Sequence, residues 1–203
     1  MDAQQEILDF WFGELDDQGM AGKAAARRWY QFDPGFDLEI KTLFEPLLRD
    51  AIAGELEHWR DSPRGRLALV LLLDQFSRQI WRGTPRAFAQ DELAQALVEE
   101  GLSLGQDDEL ALDEKRFFYM PLMHAENLAL QELSVQCVER LLAGCTSEAA
   151  REAVNNSLHF AREHRDIIAR FGRFPHRNRI LGRQSSPQEQ AYLAGNGQSY
   201  GQG

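Results

Sequence analysis

Seven arginines fall between positions 162 and 183 (162, 165, 170, 173, 177, 179 and 183), around the string RFGRFPHRN, against only two acids, Glu163 and Asp166. Seven minus two leaves a local charge of +5 in a chain whose formal net charge is −10. A guanidinium presents paired N–H donors that match the edge of a carboxylate or phosphate, so this cluster could grip an anion. His164, Phe171, Phe174 and His176 are interleaved with the arginines and could shape a pocket around such a group. Gly172 is expected to end a helix and Phe174-Pro175 to force an extended turn, which leaves His176, Arg177 and Asn178 on a constrained loop. Loops of that kind commonly carry sites. Arg170, Arg173, Arg177 and Arg183 also suit a purely structural role, neutralising the carbonyl ends of helices and pairing with surplus acids elsewhere.

Two further strings could do chemistry. In LDQFSRQIWRGTPRAF, residues 73–88, Asp74 and Arg78 stand four apart, so they share a helix face with Leu67, Val70 and Leu71 below them. A part-buried ion pair there demands further partners, such as Gln75, Arg82 or Arg86. It either ties two helices together or lets Asp74 orient an arginine that meets a ligand. In FFYMPLMHAEN, residues 117–127, Pro121 bends the helix and places His124, Asn127, Leu128 and Gln131 on one stripe. Glu126 points about 200° away from His124, so these two do not read as an acid–base pair. His159 and His164 stand five apart, about 140° around a helix, and do not make a two-histidine metal face. His164 instead shares the buried stripe of Phe160, Ile167, Ile168 and Phe171.

Composition narrows the classes. A pI near 5.0 argues against a nucleic-acid binder, which needs extended positive charge. No Cys-x-x-Cys or His-Glu-x-x-His spacing occurs, so neither a metal site nor a cofactor is expected. Cys137 and Cys145, eight apart in a predicted helix, sit about 12 Å apart along its axis and are expected to be core thiols rather than a disulfide. The most apolar stretch, Leu67 to Leu73, is too short to cross a bilayer, and the start lacks the pattern of a leader; a cytoplasmic protein without membrane contact is expected.

The elements that must position these residues read as helices almost throughout. Helices are expected near 3–13, 20–31, 35–53, 62–81, 85–101, 114–143 with a kink at Pro121, 147–171 and 186–194. The start signals are Ser62-Pro63, Thr84-Pro85, Asp113-Glu114, Thr146, and Ser186-Pro187 with Glu189 as a capping-box partner. No run alternates with period two and β-branched residues are scarce, so the fold class is all-α. The helix holding LALVLLLDQFSRQIW is apolar on every side from Leu67 to Leu73, which marks it as central, and Trp11, Phe12, Trp29, Phe32, Trp59 and Trp81 fit core packing. One helical domain over residues 1–195 is expected, followed by a Gly-rich flexible tail, 196–203, that could dock through Tyr200.

The strings LLLDQFSRQIWRGTPRAFAQD, FFYMPLMHAEN and HRDIIARFGRFPHRNRILGRQSSPQE, in that order after DFWFG, resemble the bacterial family known as domain of unknown function 924. The resemblance runs from about Ile7 to Tyr200. It implies a right-handed α-α superhelix of antiparallel helix pairs, tetratricopeptide-like in arrangement without that repeat's consensus. It implies no activity, substrate or catalytic residue.

The sequence therefore leads to a helical protein that binds a small anionic ligand, phosphate- or carboxylate-bearing, or an acidic peptide. Asp74, Arg78, Arg82, Arg170, Arg173, His176, Arg177 and Asn178 are the candidate ligand-binding residues. Two alternatives stand beside it. One is an enzyme using His164 or His176 as general acid or base, with His124 a further candidate. The other is a protein-interaction scaffold in which the arginines are structural.

Overall fold

Helices account for nearly all the regular structure of the chain, whose computed structural model describes residues 2–196. Within those residues the class is all-α, as the sequence predicts, and the one bridge between extended backbones joins Leu15 to Ala21. The helices are α1 (Ala3–Phe12), α2 (Lys23–Tyr30), α3 (Pro34–Ile52), α4 (Pro63–Val70), α5 (Ser77–Ile80), α6 (Asp91–Ser103), α7 (Leu112–Phe118), α8 (Met120–Met123), α9 (Leu128–Ala143), α10 (Glu148–Phe171) and α11 (Pro187–Asn196). Of the expected tail, Asn196 closes α11; the remainder, with the docking expected of Tyr200, lies outside the described residues.

Several starts follow the predicted chemistry. Ser62 accepts a hydrogen bond from the Gly65 N–H with Pro63 at the first position of α4, and Ser186 and Glu189 cap α11 reciprocally. Two differ. Ser147, not Thr146, caps α10 by accepting from the Ala150 N–H. The helix expected from residue 85 is instead a single 3-10 turn, Pro85–Phe88, and α6 opens only at Asp91.

The expected helix 62–81 is one rod with a wider central turn. Between α4 and α5 the chain passes through a π-helical segment, Leu71–Phe76, in which every residue is buried. An inserted wide turn of this kind rotates the side chains that follow it relative to a regular helix. Around this rod pack α1, α3, α6 and α7. An aromatic cluster fills the space between them: Trp29 meets Phe117 at 4.7 Å between ring centroids, and Phe10 and Phe76 each meet Phe44 at 5.0 Å. Phe32 is the exception to the expected core use, at 63% exposure.

The helix expected over 114–143 is broken more thoroughly than a kink. Pro121 supplies no N–H donor, α8 stops after one turn, and Asn127 takes an extended backbone whose side chain accepts from the Ala129 and Leu130 N–H groups to start α9 afresh. The predicted stripe through His124, Asn127 and Gln131 therefore does not form. The break instead frees Glu126 to clamp the segment after α10. Its Oε1 accepts from the Phe174 N–H at 2.8 Å, and its carboxylate takes both Arg183 terminal nitrogens at 2.6 and 2.9 Å. α10 itself ends at Gly172, whose φ of 69° is the left-handed conformation glycine adopts without strain.

Candidate functional site

The wide turn and the broken helix converge on Asp74. This carboxylate has 0% exposure and lies in the π-helical segment. Its Oδ1 stands 2.7 Å from His124 Nδ1 and 3.1 Å from Arg78 Nη1, while Oδ2 accepts from the Gln75 side-chain amide. Burial pulls the Asp74 carboxyl upward, but Arg78, His124 and Gln75 outweigh it and hold the group well below the usual carboxylate range. An ionised Asp74 can only accept, so the hydrogen bond places the His124 proton on Nδ1 and leaves Nε2 as an acceptor. Burial nevertheless keeps the His124 pKa below its ordinary value, against the pull of Asp74.

A second carboxylate organises the arginines. Asp91, the first residue of α6, is 2.9 Å from Arg78 Nη1 through Oδ1 and accepts from Arg177 Nη1 at 3.2 Å through Oδ2. Arg177 also donates from Nη2 to the His124 carbonyl at 3.1 Å. Its guanidinium lies 4.7 Å from the Phe88 ring centre and 4.5 Å from that of Phe174, within cation–π range of both. Burial lowers the Arg177 pKa to about 10, which leaves it charged at neutral pH. Its Nε has no hydrogen-bond partner and no contact with solvent, and the Gln79 Oε1 is in the same position.

Above this network opens a cavity of about 370 Å³. Its polar lining includes Arg28, Arg78, Arg82, Arg177, His124, His164 and His176, and its apolar lining Trp29, Phe32, Phe36, Phe88, Phe160 and Met120. Arg82 grips Asp37 through Nε and Nη2 at 2.7 and 2.9 Å, and Arg28 stacks on Phe36 at 4.8 Å. The His164 Nδ1–H donates to the Phe160 carbonyl at 2.8 Å, and the rings of His164 and His176 both pack against Phe174, at 5.4 and 5.3 Å. Burial above all drives the pKa of His164 and of His176 down to about 3. His164 and His176 are therefore neutral at pH 7.

Of the residues singled out in the sequence, Arg78, Arg82, His124, His164, His176 and Arg177 come together in the cavity wall, with Asp74 directly beneath. Three others do not reach it. Arg170 lies over Phe171 at 4.7 Å and Tyr192 at 6.0 Å; Arg173 grips Glu189 at 2.7 and 2.9 Å; Asn178 bonds Ser185 and Arg183. Arg86 stacks on Trp81 at 4.1 Å. Sequence reasoning missed Asp91, Arg28, Phe88 and Phe160. Asp91 was hidden because a helix expected from residue 85 made it one more mid-helix acid, and only the 3-10 turn after Pro85 brings it to a helix start facing Arg78. Among the described residues no group of three or more His, Cys, Asp or Glu side chains is arranged to hold a metal ion, and no helix is long and apolar enough to cross a membrane.

The neutral imidazoles have a consequence for stability. With folded pKa values of about 3 against an ordinary value of 6.5, His164 and His176 stay deprotonated in the folded chain while the unfolded chain takes up protons. The unfolded state then binds more protons between pH 6 and 4, so stability falls as pH falls, by about 1.4 kcal/mol per pH unit for each proton taken up. Urea unfolding followed across that window should show a shallower pH slope in a His164→Gln, His176→Gln double variant than in the parent. An unchanged slope would mean that the folded protein carries these imidazoles protonated.

A search of curated proteins gives no match. A solved structure of a protein of unknown function from Agrobacterium tumefaciens is similar, with 37% sequence identity, coverage of 95% of this chain and 97% of that chain, and a TM-score of 0.81. The family described as bacterial protein of unknown function, DUF924, matches residues 7–197. With a match over almost its whole length, this chain belongs to the DUF924 family of bacterial proteins.

Proposed function

We propose that the chain binds a small anionic ligand, carboxylate- or phosphate-bearing, in the cavity above Asp91. The observation that carries this reading is the charge of the walls. Four arginines line the cavity (28, 78, 82 and 177) against Asp37 in the lining and Asp74 and Asp91 beneath, and four minus three leaves +1. The neutral imidazoles add nothing to that sum. Arg82 is matched by Asp37, and Arg78 and Arg177 by Asp74 and Asp91, so the unmatched charge is that of Arg28, exposed at the lining, and an entering anion supplies a partner for it. Arg78 and Arg177 would hold the anion, Asp74 and Asp91 would fix their orientation, and His164 and His176 would contribute hydrogen bonds as neutral groups. Arg173, Asn178 and Arg183 would serve by securing the loop that carries Arg177.

The Asp74–His124 hydrogen bond favours a second reading, in which the site also transforms what it binds. A carboxylate that fixes the proton on Nδ1 leaves Nε2 of a cavity-lining imidazole free to accept one, the arrangement of a general base. That role would fall to His124 rather than to His164 or His176, whose pKa of about 3 makes them weak bases. A bound ligand followed by NMR over hours should change chemically with the parent protein and persist with His124→Gln; a ligand recovered intact from the parent removes the second reading and leaves the first.

The first reading is tested by thermal shift against inorganic phosphate, nucleotides, mono- and dicarboxylates and short acidic peptides. Binding to the native state alone raises stability by RT ln(1 + [L]/Kd), about 2.7 kcal/mol at 100 times Kd. At least one anion should stabilise the parent, and the effect should vanish in Arg177→Gln shown by circular dichroism to be folded. If that variant is stabilised as strongly as the parent, the anion does not sit at Arg177.

A further inference from the structure

The cavity couples two features that together select a kind of anion. Its charge excess is a single unit, that of the exposed Arg28, because Arg82 is bound by Asp37, and Arg78 and Arg177 are matched by Asp74 and Asp91. Most donor capacity of the two buried guanidinium groups is already engaged: Arg78 through both terminal nitrogens on Asp74 and Asp91, Arg177 through both on Asp91 and the His124 carbonyl. A dianion or polyphosphate brought to this floor would exceed the available positive charge and would face Asp91 and Asp74 with too few free N–H groups to satisfy it. A single carboxylate matches the excess.

The rest of the wall is not built for a small hydrated ion. Trp29, Tyr30, Phe32, Phe36, Phe88, Phe160, with Met120 and Met123, surround the same space. The arginines themselves are faced by rings: Arg177 lies between Phe88 and Phe174, Arg28 over Phe36, Arg82 over Phe32 at 5.2 Å. The wall thus combines guanidinium groups with aromatic rings, a surface on which a flat apolar body can stack. Phe32, exposed at 63%, and Tyr30, at 61%, are left at the lining without the burial their size favours. A volume of about 370 Å³ lies at the small end for organic ligands.

We infer that the ligand is an aromatic monocarboxylate, with its carboxylate among Arg28, Arg78 and Arg177, Arg28 supplying the unbalanced charge, and its ring between the aromatic walls. This rests on the anion-binding reading and narrows it. The imidazoles of His164 and His176, neutral and packed on Phe174, then act as hydrogen-bonding walls rather than as further cations.

Calorimetric titration with benzoate, phenylacetate and indole-3-acetate, beside their primary amides and beside acetate, inorganic phosphate, citrate and ATP, tests it. At least one aromatic acid should bind, its amide at least tenfold more weakly, and acetate, phosphate, citrate and ATP more weakly still. Phe160→Ala, which leaves every arginine in place, should weaken the aromatic acid about tenfold. Binding of phosphate, citrate or ATP in an Arg177-dependent manner, with none of the aromatic acids, overturns this inference while the anion-binding reading stands. Amides that bind as well as their acids overturn both, and so does a panel in which no anion binds.

Discussion

Asp91 holds two guanidinium groups in one place. Arg78 and Arg177, each nearly buried, come from α5 and from the loop after α10, and they meet only because one carboxylate accepts from both. Like charges brought together away from water repel, and each carries a desolvation cost of several kcal/mol that only hydrogen-bonded pairing offsets. Deleting the shared acid would take from Arg177 the carboxylate it pairs with and leave Arg78 with Asp74 alone. Replacing the whole group by apolar residues of similar volume could be neutral or stabilising, so stability alone does not explain why a chain would keep such a network. The anion site proposed above would give it a reason.

The rest of the structure supplies the geometry this contact requires. The π-helical segment lets one rod remain apolar through Leu73 and then turn Asp74, Gln75 and Arg78 toward the cavity. The single turn of α8 and the fresh start at Asn127 put His124 against Asp74 and send Glu126 outward to grip the segment from Phe174 to Arg183. Arg177 is thereby fixed at both sides, by the Glu126 clamp on its own loop and by the His124 carbonyl and Asp91 across the cavity. Charged hydrogen bonds of this kind contribute about 1.5–3 kcal/mol each, enough in combination to hold a loop that contains little regular structure.

What could be read in the sequence divides along physical lines. Helix starts marked by Ser62-Pro63 or Ser186 with Glu189 are local events, set by a side chain and a backbone three residues away, and they were legible. The charge of the 162–183 segment was legible too, but not its division of labour: Arg173 and Arg177 are four residues apart in the same run, yet one meets Glu189 and the other Asp91, eighty-six positions away in the chain. Which acid an arginine finds is a tertiary fact. The same holds for His124, whose periodicity in an unbroken helix pointed to a stripe that the Asn127 cap abolishes. The π-helical turn had no signal, because a wide turn and a regular one use the same apolar residues.

The most direct test of the account is a titration followed through the arginine side-chain Nε–Hε resonances by NMR, with benzoate and with inorganic phosphate as probes. Arg78 and Arg177 should shift in a saturable manner with at least one of the two, while Arg170 and Arg173, held outside the cavity by Tyr192 and Glu189, stay where they are. Saturable shifts at Arg170 or Arg173 with Arg78 and Arg177 unmoved would contradict it, as would the absence of any saturable shift.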